Sequence, residues 1–117
     1  MSKTQVAVVG LGFIGPAHIE ALRRLPDVEV VGIADFSAEI AQARAKSLGI
    51  PKAYDSFDDL LKDDSIECVH ICTPNFLHYE QSKKALLAGK NVVCEKPLAT
   101  NTEEAEELVE LADKLGL

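Results

Sequence analysis

The sequence predicts one α/β domain, a doubly wound parallel sheet of five strands with helices on both faces. Three observations carry this prediction. The apolar runs are continuous rather than alternating, as in strands covered on both sides. They alternate with segments whose apolar residues recur at helical spacing. Gly, Pro, Asn and Ser mark the boundaries. The resulting order, β-α-β-α-β-α-β-α-β-α, implies right-handed crossovers between parallel strands.

Val6-Ala7-Val8-Val9 is the first strand. After a run of glycines, Ile14 to Leu25 reads as a helix, with Ala17, Ala21, Leu22 and Leu25 on its apolar face and Pro16 in the first turn. Proline is tolerated there because its missing N–H would be unpaired anyway. Pro26-Asp27 ends the helix, and Val28 to Ala34 is the second strand. Ser37 caps a helix running to about Leu48, closed by Gly49. Ala53-Tyr54 reads as a short third strand, and Ser56 with Asp59 as the cap of a short acidic helix ending near Lys62. Ile66 to Cys72 is the fourth strand; Thr73-Pro74 breaks it, Asn75 is placed as the cap of the next helix, and Gly89 closes that helix. Asn91 to Cys94 is the fifth strand. Thr100 with Glu103 reads as a capping box for a last helix over 102–115.

The 117 residues suffice for one domain with a real core, and 47% of them are apolar. No apolar stretch approaches the ~20 residues that span a bilayer. The N-terminus lacks the features of a signal peptide, so the expected location is cytoplasmic. The net charge of −7 is concentrated between Asn101 and Leu117, where six acidic residues meet one lysine. An acidic chain without a basic stripe argues against nucleic acid and anionic membrane as partners. Cys68, Cys72 and Cys94 lie in apolar runs without metal or redox spacing, and read as buried small hydrophobes.

Gly10-Leu11-Gly12-Phe13-Ile14-Gly15 is G-x-G-x-x-G, placed directly between the first strand and the first helix. That context turns a weak pattern into a dinucleotide signal. Gly10 permits the tight turn, Gly12 lets a pyrophosphate approach the backbone, and Gly15 lets helix and strand pack closely. The helix N-terminus adds free N–H groups and about half a positive charge. Asp35 ends the second strand twenty residues after Gly15, where a carboxylate would hold an adenosine ribose diol. Its charge would repel a 2′-phosphate, so NAD is expected rather than NADP. Arg44 lies well down the second helix. An S-adenosylmethionine site is the competing reading, since it uses a similar first turn and acid. In such a sheet ligands bind beyond the carboxyl ends of the strands. The Thr73-Pro74-Asn75-Phe76-Leu77-His78 and Glu95-Lys96-Pro97 segments therefore face the same side as the glycine loop.

VAVVGLGFIG, GIAD, CTPNFLH and CEKPLATN, in this order, resemble the nucleotide-binding half of the Gfo/Idh/MocA oxidoreductases over essentially the whole chain. The resemblance implies a Rossmann domain, with Gly10, Gly12, Phe13, Ile14 and Gly15 at the pyrophosphate and Asp35 at the ribose. It implies that Thr73, Pro74, Asn75 and His78 line the middle of the cofactor. Glu95, Lys96 and Pro97 match the motif whose lysine approaches the substrate hydroxyl and the nicotinamide, making Lys96 the catalytic candidate. An ammonium there would stabilise a developing alkoxide. His78 could instead be a cap or solvated, Lys96 a plain surface charge. His70, inside a strand, reads as a packing residue, and His18 has no evident partner.

The resemblance also implies a second α/β domain with the substrate pocket and an acid/base pair, and that domain is not in this sequence. The expectation is a chain, 1–117, that binds nicotinamide dinucleotide. It would turn over a small polyol or sugar only if a second domain is supplied, and would associate as a homo-oligomer. A stand-alone NAD-binding sensor or assembly module, without catalysis, is the alternative. A methyltransferase-like fold is a third reading and leaves Glu95-Lys96-Pro97 unexplained.

Overall fold

The computed structural model describes residues 3–117. Five parallel strands form one sheet: β1 (Thr4–Val9), β2 (Val28–Ala34), β3 (Lys52–Ala53), β4 (Cys68–Ile71) and β5 (Asn91–Cys94). Their order is β3-β2-β1-β4-β5, and every pairing is parallel. The helices are α1 (Gly15–Arg23), α2 (Ala38–Leu48), α3 (Phe57–Leu61), α4 (His78–Leu87) and α5 (Thr102–Leu115), with a 3-10 turn at Asn75–Leu77 before α4. The predicted doubly wound α/β class is what the chain adopts.

The apolar residues of the central strands divide between two layers. On one face Val8, Val30 and Ile33 pack with Ile19 of α1 and Ala45 of α2. On the other Ala7, Val9, Val31, Val69 and Ile71 pack with Leu60 of α3. Both faces of the central strands are thus buried, which is why their sequences read as unbroken apolar runs. The chain winds outward from β1 in one direction and from β4 in the other. The carboxyl ends of these two neighbours therefore form the switch point, where a crevice opens.

Boundaries differ from the sequence reading where local hydrogen bonding decides them. The first helix ends at Arg23, not Leu25, because Arg24 and Leu25 donate to Ala21 and Leu22 in a tightened last turn ahead of Pro26. The third strand is Lys52–Ala53, although Tyr54 still donates to Ile33. Ser37 and Ser56 cap α2 and α3, accepting from Ile40 and Asp59. Asn75 does not cap α4; the 3-10 turn intervenes, and Leu77 at the cap position makes no side-chain bond. The last helix is capped by Asn101, whose side chain accepts the Glu104 N–H at 2.9 Å. Thr100 donates instead to the Glu104 carboxylate, so the Thr100–Glu103 box does not form.

Candidate functional site

The β1–α1 turn is built by two glycines that no other residue can replace. Gly10 has φ +88°, and a Cβ there would lie 2.7 Å from the Cys72 backbone, where β4 ends. A Cβ on Gly15 would lie 2.1 Å from the Gly10 carbonyl oxygen. Gly12 is different, because a Cβ there would have no atom of the chain within 4 Å. Its space opens into a cleft of about 400 Å³ at the switch point.

Gly10, Gly12, Phe13, Ile14, Asp35, Thr73 and Pro74 all line this cleft. The α1 N-terminus points its first turn there with no side-chain cap, so its N–H groups are left for an anion. At the rim, Asp35 Oδ1 accepts the Phe36 backbone N–H at 2.8 Å. Thr73 Oγ1 donates to Gln81 Oε1 at 2.5 Å. The sequence reading omitted Leu11, Phe36, Phe57, Leu77 and Gln81 from the lining. Leu11 and Leu77 occupy variable positions within the glycine-loop and Thr73–His78 motifs, while Phe36, Phe57 and Gln81 lie outside them and arrive from elements whose place depends on the strand order. Arg44 also reaches further than its position on α2 suggests, for Nη2 donates to the Leu11 carbonyl of the glycine loop at 3.3 Å.

The remaining candidates lie outside the cleft lining. Asn75 is in the 3-10 turn. His78, assigned above to the cofactor, is 0% exposed, with Nδ1 2.7 Å from the Pro97 carbonyl and Nε2 2.8 Å from the Thr73 carbonyl. Its ring ties the segment after β4 to the segment after β5. Lys96 is exposed just beyond β5, and the Lys96–Pro97 peptide is cis. Glu95 is engaged by His18: His18 Nε2 lies 2.7 Å from Glu95 Oε1, and His18 Nδ1 lies 3.0 Å from His70 Nδ1. His18 thus has two partners where the sequence suggested none.

Burial, helped by Glu95 and Cys94, pushes the Cys72 thiol up to about 12, and burial likewise raises Cys68 and Cys94. None of the three is poised as a thiolate nucleophile. Among the described residues no cluster suits a metal ion, and no helix is long and apolar enough to cross a membrane.

Burial, and then His18, pulls His70 down to about 4. An unfolded histidine titrates near about 6.5. Between these values the unfolded state binds more protons, so stability is lost as pH falls through that window and regained as pH rises. The full effect is about 3 kcal/mol. His70→Leu is expected to flatten the slope, as measured by urea midpoints between about pH 7 and about pH 4.5.

A parallel sheet with a glycine turn at its switch point, an uncapped helix start beside it and an acid ending the next strand defines a dinucleotide-binding α/β domain. The family model described as an oxidoreductase family with an NAD-binding Rossmann fold matches residues 4–117, and the chain belongs to this Gfo/Idh/MocA family. It is therefore an NAD(P)-binding domain of that family. An uncharacterised oxidoreductase of Rhizobium meliloti, ORF334, is 40% identical over 115 residues, covering 93% of this chain and 34% of that protein. An inositol 2-dehydrogenase/D-chiro-inositol 3-dehydrogenase of Lactiplantibacillus plantarum is 35% identical over 97% of this chain and 33% of its own length. The chain thus spans about a third of these relatives.

Among solved structures, an NAD-binding oxidoreductase from Klebsiella pneumoniae superposes with a TM-score of 0.94 at 36% identity, covering 98% of this chain and 33% of that one. GenD2 from gentamicin A biosynthesis, in complex with NAD, gives 0.92 at 32% identity, over 100% of this chain and 33% of that one. KijD10, a 3-ketoreductase from Actinomadura kijaniata, in complex with NADP, gives 0.93 at 32%, over 99% of this chain and 36% of that one. Relatives of this fold therefore bind either dinucleotide.

Proposed function

We propose that this chain, as one domain over residues 1–117, is the NAD-binding part of an oxidoreductase that moves a hydride between nicotinamide and a secondary alcohol of a sugar or cyclitol. The observation that carries it is Gly12. Packing demands a glycine at Gly10 and at Gly15, but nothing in the chain demands one at Gly12. A ligand pressed against the backbone there explains its place, and a pyrophosphate at the uncapped start of α1 fits that space.

The residues take these roles. Backbone N–H groups between Leu11 and Gly15 hold the phosphates. Asp35 accepts hydrogen bonds from the ribose hydroxyls. Thr73 and Pro74 wall the cleft, Asn75 extends that wall, and Phe13 and Ile14 line its floor. When bound, the nicotinamide supplies the hydride acceptor. Lys96, beyond β5, would hold its ammonium near the alcohol oxygen and stabilise charge developing there. Glu95 and Pro97 set the backbone and field around it. A substrate pocket would come from residues outside this sequence, as befits a chain spanning a third of its relatives.

NAD is the proposed cofactor over NADP because the Asp35 carboxylate lines the cleft. Calorimetry on the purified chain tests this. NAD is expected to bind at micromolar concentrations and NADP more weakly. Asp35→Ala is expected to weaken NAD about 10-fold, the loss of charge-assisted hydrogen bonds, and to erase the preference. Binding of neither dinucleotide would overturn the reading. Two further expectations accompany it. Three free cysteines suit a reducing compartment such as the cytoplasm. The edge strand β5, with Val93 44% exposed, suits self-association; sedimentation showing only monomer at high concentration would count against that.

A further inference from the structure

The dinucleotide reading leaves unused two histidines on the α1 face of the sheet, His18 and His70, and the contact of His18 with Glu95. His18 of α1 stands between Glu95, just past β5, and His70 of β4, at 2.7 Å and 3.0 Å. The two imidazole rings meet edge to face, 5.3 Å between centroids. They line a cleft whose other walls are apolar: Ala17, Ala21, Leu22 and Leu25 of α1 and the turn after it. The titratable groups that meet His18 are His70 from β4 and Glu95 beyond β5, which Lys96 follows in the chain. The His18 and Glu95 side chains are 17% and 30% exposed.

The partners dictate where the protons sit. A carboxylate only accepts, so His18 Nε2 carries a proton and donates to Glu95. Two ring nitrogens at 3.0 Å need one proton between them. Burial keeps His70 neutral above about pH 4. Either His70 Nδ1–H donates to a neutral His18, or a cationic His18 donates to His70. In both arrangements the Nε2–H of His18 stays on Glu95.

We propose that His18 is a positioning residue that occupies the Glu95 carboxylate, keeps it from pairing with the adjacent Lys96 ammonium, and so leaves Lys96 unpaired at the cofactor edge. The proposal rests on the reading of Lys96 as the group at the alcohol oxygen. Glu95 lies in the chain next to Lys96, and its carboxyl is held below the ordinary range, first by the His18 hydrogen bond and less by Lys96. Yet among the described residues the ion pair of Glu95 is with His18, and Lys96 has none. A lysine already neutralised by a carboxylate would offer little field to a developing alkoxide; an unpaired one offers its full charge.

The test needs no nucleotide. Carbon-detected NMR follows the Glu95 carboxyl titration, and mass spectrometry reads the acylation rate of Lys96 by a succinimidyl ester at about pH 8. In His18→Leu the Glu95 midpoint is expected to move up, and Lys96 to acylate about 2–4-fold more slowly, the weight of an exposed ion pair. His18→Gln, whose amide can donate where Nε2 does, is expected to restore both. His18→Leu with Glu95→Gln is expected to restore the acylation rate. His18→Asn, too short to reach Glu95, replaces the Leu variant if that one fails to fold. An unmoved Glu95 midpoint, or Lys96 acylation equal across these variants, overturns the proposal. NAD binding is measured separately, so its absence would count against the dinucleotide reading and leave this result standing.

Discussion

Gly15→Ala is expected to destabilise the chain by about 3 kcal/mol or more, a large share of the 5–15 kcal/mol that holds a domain together. The added Cβ would lie 2.1 Å from the Gly10 carbonyl oxygen. That oxygen belongs to a backbone pinned on both sides. Gly10 N–H donates to the Ala34 carbonyl at 3.0 Å, and Gly10 sits against the Cys72–Thr73 backbone. Neither side can yield without parting β1 from β2 or β4. Gly12→Ala is the control, since its Cβ would meet nothing within 4 Å. Its stability is expected to stay within about 0.5 kcal/mol of the parent, while dinucleotide affinity falls roughly 100-fold because the methyl occupies the space for the phosphates. Thermal melts and calorimetry on the two variants separate packing from binding. Equal losses of stability in both would refute the division of labour among the glycines.

His78→Leu is expected to cost about 1–3 kcal/mol. The ring is fully buried and engages two backbone carbonyls, those of Thr73 and Pro97, at 2.8 and 2.7 Å. Leucine would fill the space and remove the ring's N–H donor, leaving at least one of these oxygens without its partner, at about 1–3 kcal/mol. At a temperature where the variant remains folded, NAD affinity is expected to change less than about 3-fold. A variant of unimpaired stability that lost NAD binding would return His78 to the role of direct cofactor ligand. The two outcomes differ in urea midpoint, so one titration decides between them.

His78 also shows why a motif can be legible while its mechanics are not. The resemblance carried by Thr73, Pro74, Asn75 and His78 implies a segment beside the cofactor, and Thr73 and Pro74 line the cleft. The direction of the His78 ring follows from Pro97, nineteen residues on, coming to lie beside it. Caps behave similarly. Ser37 and Ser56 act as expected because their partners are three residues away. At the last helix Asn101, Thr100 and Glu104 are all within reach, and local geometry gave the cap to Asn101.

The sequence by itself determined the class of fold, the order of its elements and the dinucleotide signal. Those features are written in the backbone: unbroken apolar runs, helical spacing, and a glycine turn and acid at the ends of two strands. They depend on neighbours a few residues apart. The tertiary structure alone decided which side chains meet. The order β3-β2-β1-β4-β5 lays the ends of β1, β4 and β5 side by side. It thereby brings His18 to Glu95 across 77 positions and to His70 across 52, and Arg44 to the glycine loop. Such contacts leave no periodic trace, because a hydrogen bond needs only a donor and an acceptor at the right distance, and packing of the sheet sets that distance.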